Sequence, residues 1–205
     1  MAAAADAFAD LIVNFDADQA SYLTRPTVPF FYAYPDEAMH FNPEKFVDPR
    51  VPVVLHAPSK RLIKGTAFVR EAVSRLQSEG FSFEYVELTG VSNRKVLEQL
   101  SRAHIVLNQF WALVPGVFGV EAMANTCAMM CSADGTIEHG LPDGANDAWL
   151  VTTTDQVYEN LKVLLTDWTF TTALAVRGFN WLATHETFSV NAPEFQRKLN
   201  LLFEQ

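Results

Sequence analysis

Apolar positions along the chain follow two alternating rhythms: short continuous runs, and runs spaced by three and four. Val51 to Leu55 is a continuous run, and Phe68, Val69, Ala72, Val73 and Leu76 then fall on one face of a helix. The pattern predicts a strand at 51–57, a helix at about 64–79 closed by Gly80, a strand at 81–89, a helix at about 93–103 and a strand at 104–109. A glycine turn follows, then a helix carrying Glu121, a strand at Ala128–Ser132, a polar loop through Gly135, Gly140 and Gly144, and a strand at Trp149–Thr152. The remainder reads as helices. Val157, Leu161, Leu164 and Leu165 share one face, a second helix spans about 168–184, and a third carries Phe195, Leu199, Leu202 and Phe203. Strands alternating with helices make a parallel sheet, so the expected class is α/β, a Rossmann-like sheet flanked by helices.

Residues 1–50 break that rhythm. Pro26, Pro29, Pro35, Pro43 and Pro49 forbid long regular elements. Ala7 to Asn14 reads as the last helix-and-strand step of a preceding domain, and the segment after it as a linker. Its aromatics Phe30, Phe31, Tyr32 and Tyr34 include a short strand and are expected to pack in a core or between domains. No internal repeat or low-complexity tract interrupts the chain.

With 205 residues, 49% of them hydrophobic, the chain can bury one substantial core but not two full Rossmann-like domains. Its formal net charge of −9 argues against nucleic acid as a partner, since binding a polyanion needs clustered cations. Two cysteines, Cys127 and Cys131, lie in and before an apolar run, which suits buried small hydrophobes and a reducing compartment better than a disulfide or zinc framework. No apolar stretch reaches the roughly 20 residues of a transmembrane helix. The expectation is a soluble cytoplasmic protein, at most peripheral at a membrane.

Two segments carry candidate chemistry. The first is Gly116 to Ala124, entered through Pro115 after Ile105 to Leu107. It reads as strand, glycine turn, helix. Glycine lets the backbone approach a ligand closely, and the unpaired N–H groups at Val117 and Phe118 would present positive charge to a phosphate. Glu121 stands one turn into that helix, three residues after Phe118, facing the same crevice, where a diol such as a ribose would suit it. The second segment, His56 to Thr66, ends the first predicted sheet strand and crowds Lys60, Arg61 and Lys64 at its carboxyl end, where ligands bind in open α/β sheets. Two or three cations beside a helix start suit a diphosphate, and an anion would offset a lysine placed at a positive helix terminus. His56 itself is expected to be a satisfied structural residue. His104, His139 and His185 lack metal-ligand spacing, no metal is expected, and Asp134, Gly135, Thr136 and Glu138 read as a solvated loop.

Together the two segments resemble the carboxyl-terminal, nucleotide-sugar-binding domain of the retaining group 1 glycosyltransferases, which have two Rossmann-like domains (the GT-B fold). That family shows a basic residue followed by Lys-Gly after the first strand, and later a Glu, seven residues, then Glu-Ala-Met-Ala. Lys64-Gly65 and Glu121 to Ala124 match. The first glutamate of the pattern falls at Leu113, which cannot accept a hydrogen bond from a donor sugar, and the arginine slot five residues before the lysine holds Ser59, with Lys60 and Arg61 beside it.

The resemblance implies a UDP- or GDP-linked sugar as donor substrate, with no permanently bound cofactor. It implies Lys64 and Arg61 stabilising the diphosphate leaving group, Glu121 on the ribose, and Ser59, Gly65, Gly116, Val117 and Phe118 around the phosphates. Gly90 and Val91 would lie near the nucleobase. It divides the chain into a segment 1–50 leading from an amino-terminal domain, a donor-binding domain 51–184 and a crossing helix 185–205. The acceptor, unidentified, would sit on an amino-terminal GT-B domain or a partner chain, so transfer by this chain alone is expected to be weak or absent. The alternatives are a non-catalytic nucleotide-sugar or protein-partner binding module and, ranked lower, half of a nucleotide-sugar epimerase.

Overall fold

The structure, a computed structural model, describes residues 2–14, 22–25, 27–29 and 32–203. The first two strands, β1 (Val13–Asn14) and β2 (Val28–Pro29), pair in parallel after the short helix α1 (Ala2–Phe8). Pro26, Phe30 and Phe31, expected as breaker and strand, lie outside the described residues. Tyr34 forms an isolated bridge to Thr187, so the aromatic segment is tied to the far end of the chain.

A five-stranded, wholly parallel sheet forms the body, in the order β4-β3-β5-β6-β7. Its members are β3 (Val53–His56), β4 (Glu84–Glu87), β5 (Ile105–Leu107), β6 (Ala128–Cys131) and β7 (Leu150–Val151). Each sits inside its predicted span, trimmed by one to three residues at most ends, where ladder pairing stops. Side chains alternate between faces, and both faces are dry. Val53, Leu55, Val106, Met129 and Cys131 enter one core with Trp149 and Trp181, while Val54, Ile105, Leu107, Ala128 and Met130 enter the other with Val69, Leu76, Leu161 and Leu164. That double burial explains continuous apolar runs where a half-solvated sheet would alternate. Edge strand β4 is half-buried and carries Glu84 and Glu87, charges that discourage pairing with another sheet.

The crossovers are α2 (Thr66–Ser78), α3 (Asn93–Leu100), α4 (Gly116–Ala124) and the short α5 (Ala145–Ala148), which the polar loop does not foreshadow. Helices α6 (Val157–Thr166), α7 (Trp168–His185) and α8 (Phe188–Phe203) close the chain. Helix α6 packs on α2, and α7 lies across β6, α4 and α5. Helix α2 begins at Thr66, two residues later than the apolar spacing suggests, because Gly65 stands in the left-handed region at φ 65° and ends the preceding turn. Lys64 therefore lies in a turn before the helix, not in it.

The strand order fixes one topological switch point. From β3 the chain moves to β4 on one side, then returns past β3 to β5 on the other. The loops leaving β3 and β5 consequently diverge, opening a crevice at their carboxyl ends. Both candidate segments occupy it.

Candidate functional site

His56 ends β3 and anchors the turn behind the crevice. Its Nδ1–H donates to the Leu107 carbonyl of β5 at 2.7 Å, which leaves Nε2 to accept from the Thr66 hydroxyl at 3.0 Å. Fully buried, the imidazole is pushed down to about 4, chiefly by loss of hydration. It is the satisfied structural residue expected, and it is neutral. Gly65 follows at positive φ, and a Cβ there would come within 3.0 Å of the Phe110 side chain, so both backbone and space require glycine.

That turn carries Lys64 inward. The residue is 7% exposed, unlike the exposed Lys60 and Arg61. Its Nζ donates to Asn108 Oδ1 at 3.0 Å and lies 5.3 Å from the centre of the Phe118 ring. Among the described residues no carboxylate closes an ion pair with it within 4 Å. Burial pushes the ammonium down to about 8, partly opposed by Glu121 and Cys131. A buried cation with neutral partners is an expensive arrangement that an anion relieves.

Opposite it, α4 starts at Gly116, and Gly116, Val117 and Phe118 of its first turn line the crevice, at the end of a helix where N–H groups lack intrahelical acceptors. Glu121 is buried, and loss of hydration raises its carboxyl above the usual range. Its Oε1 accepts from Asn93 Nδ2 at 2.6 Å. Between these groups lies a cavity of about 390 Å³, lined by Ser59, Lys64, Gly116, Val117, Phe118 and Glu121 together with Ala57, Asn93, Val96 and Gln109.

Six of the ten residues expected at the site thus share one cavity. Gly65 supports it from behind. Arg61 lies on the same turn, between lining residues Ser59 and Lys64, with its side chain exposed. Gly90 and Val91 are outside the lining, and the loop reaches it only at Asn93, the first residue of α3. Leu113 is half-buried and also outside it. Asn93, Asn108 and Gln109 are additions that sequence reading passes over. The signal for the last two is a pair of amides immediately after the apolar run of β5.

The fold recurs in solved structures. A sucrose-phosphate synthase from Thermosynechococcus elongatus aligns with 96% of this chain at a TM-score of 0.65 and 11% identity. An α-glucosyltransferase solved with UDP and a 13-mer DNA aligns with 95% at a TM-score of 0.61 and 12% identity. The fold is one half of the GT-B glycosyltransferase fold. The chain spans 59% and 65% of those two GT-B chains. A carboxyl-terminal domain of a group 1 glycosyl transferase from Francisella tularensis also aligns, over 74% of this chain and 94% of its own, at 20% identity and a TM-score of 0.49. No protein-family model and no curated protein matches the sequence.

Among the described residues no group of three His, Cys, Asp or Glu side chains could hold a metal ion, and no helix is long and apolar enough to cross a membrane. Cys127 and Cys131 are free and buried, and burial raises both thiols. Asp134 and Thr136 form a local turn as expected, but Glu138 is fully buried and accepts from the Gly140 N–H.

Proposed function

We propose that this domain binds the nucleoside diphosphate of a sugar donor and serves a glycosyltransferase that transfers the sugar with retention of configuration. The observation that carries the reading is Lys64, a buried ammonium with no ion pair within 4 Å among the described residues, facing the start of α4 across a 390 Å³ cavity at the sheet's switch point. Lys64 and the N–H groups of Val117 and Phe118 take the diphosphate, and Arg61, on the same turn, reaches its outer oxygens. Glu121, oriented by Asn93, takes the ribose diol. When the anomeric carbon–oxygen bond breaks, the electron pair stays on the diphosphate, and these preorganised charges lower the cost of its departure. The acceptor hydroxyl supplies the new oxygen and gives up its proton to the departing diphosphate. The neighbour solved with UDP makes uridine the first base to test.

Leu113 favours a second reading, a nucleotide-sugar binding module without transfer, because an apolar residue stands where the family pattern puts a sugar-contacting glutamate. Leu113→Glu separates the two: a gain in discrimination between sugars identifies a donor site that has lost its sugar contact.

Thermal unfolding with uridine, guanosine and adenosine diphosphates tests the main reading. Ligand at about 100 times its Kd adds roughly 2.7 kcal/mol, which at this length raises Tm by about 5–10 °C. One diphosphate is expected to give that shift, and Lys64→Ala and Glu121→Ala to abolish it. No shift with any of the three overturns the reading.

A further inference from the structure

Asn108 touches both halves of the anion site although it does not line the cavity. It is fully buried at the end of β5. Its Oδ1 accepts from Lys64 Nζ at 3.0 Å, and its Nδ2 donates to the Pro115 carbonyl, immediately before α4, at 2.7 Å. The amide orientation is unambiguous, because an ammonium can only donate and a carbonyl can only accept. Space for this bridge is made by Gly119, where a Cβ would lie 2.6 Å from Nδ2 and 2.7 Å from the Pro115 ring.

We propose that Asn108 is the positioning residue of the anion site: one neutral amide fixes the Lys64 ammonium relative to the Pro115–Gly116 turn and leaves the lysine's charge for the diphosphate. The proposal rests on the donor-site reading above. Side-chain chemistry singles out the amide. An aspartate would hold the ammonium but neutralise it, and when ionised it has no donor for the Pro115 carbonyl. An aliphatic side chain would hold neither. The other titratable groups facing Lys64 are Glu121 from α4, Cys131 from β6 and His56 from β3. Glu121 is the one carboxylate among them and already accepts from Asn93, while the buried thiol and imidazole are neutral near pH 7, so a carboxylate at 108 would add a second negative charge, this one in direct contact with Lys64.

Asn108→Asp and Asn108→Ala test this, with two measurements on each folded protein. The first is the pH titration of Lys64, followed by NMR of 13C-labelled lysine without ligand. The second is the Kd for uridine and guanosine diphosphates by calorimetry from pH 6.5 to 9.5. Asn108→Asp preserves size and the acceptor to Lys64. It is expected to move the lysine midpoint up by about one pH unit or more and to weaken diphosphate binding at pH 7 at least tenfold. Asn108→Ala is expected to move the midpoint down and to weaken binding, with the alkaline loss of affinity setting in at lower pH. A merely structural residue would leave the lysine midpoint where it is in Asn108→Ala. Wild-type binding with unchanged affinity in both variants overturns the positioning role alone, as does an unmoved lysine midpoint. Failure of wild-type protein to bind either diphosphate overturns the donor reading, and the positioning role with it.

Discussion

A lysine can be held in a protein interior without a contacting carboxylate only if the fold tolerates the cost, and Lys64 shows where that cost falls. Its ammonium is held at about 8 in the folded protein against 10.5 when hydrated, so between those values the unfolded chain binds more protons than the native one. Stability must therefore rise with pH across that window, the reverse of a lysine that gains a carboxylate partner. Lys64→Met removes the titration. Chemical denaturation of wild type and variant from pH 7 to 10.5 is expected to show the wild type gaining on the variant by roughly 1–3 kcal/mol. Parallel curves would mean that Lys64 is hydrated after all. The same burial that weakens the empty fold strengthens an anion's attraction, because a charge in a low-dielectric crevice interacts more strongly than one on the surface.

Between elements, His56 is the joint that keeps the crevice in shape, linking β3 to β5 through Leu107 and to the first residue of α2 through Thr66. Its folded value of about 4 lies below the usual 6.5, so the unfolded chain takes up a proton first as the medium acidifies. The stability it contributes is present above pH 6.5, drains away as pH falls to about 4, and changes no further below. His56→Gln should lose less stability than wild type over that range, by up to about 3 kcal/mol; an identical acid limb in both proteins would show that the imidazole titrates freely. Sequence reading reaches this level well where one signal dominates. The dry runs Val53–His56 and Ile105–Leu107 mark strands because both sheet faces are buried, and the helical spacing of Val69 to Leu76 marks α2. It fails where partners are remote in sequence. Lys64 looks solvated until Asn108, 44 positions on, is seen beneath it, and Asn93 meets Glu121 across 28 positions. Short α5 is likewise held by packing against α7, which no local pattern encodes.

At the scale of the whole molecule, the proposed anion site sits in a chain with 24 acidic and 15 basic residues. The two requirements are compatible because they act at different ranges. The net charge of −9 repels a nucleoside diphosphate over distances of a Debye length, about 30 Å at 0.01 M salt and about 8 Å at 0.15 M. Buried Lys64 acts over a few ångströms inside a crevice that salt screens poorly. Raising ionic strength across that range should therefore speed association while leaving dissociation nearly unchanged, so affinity for the diphosphate holds steady or rises. A nucleic-acid binder behaves oppositely, losing affinity steeply as counterions return to the phosphates. Stopped-flow binding at the two salt concentrations decides the matter. A steep fall in affinity with salt would transfer the role of anion holder from Lys64 to the exposed Lys60 and Arg61, whose attraction operates through screened water and not within the fold.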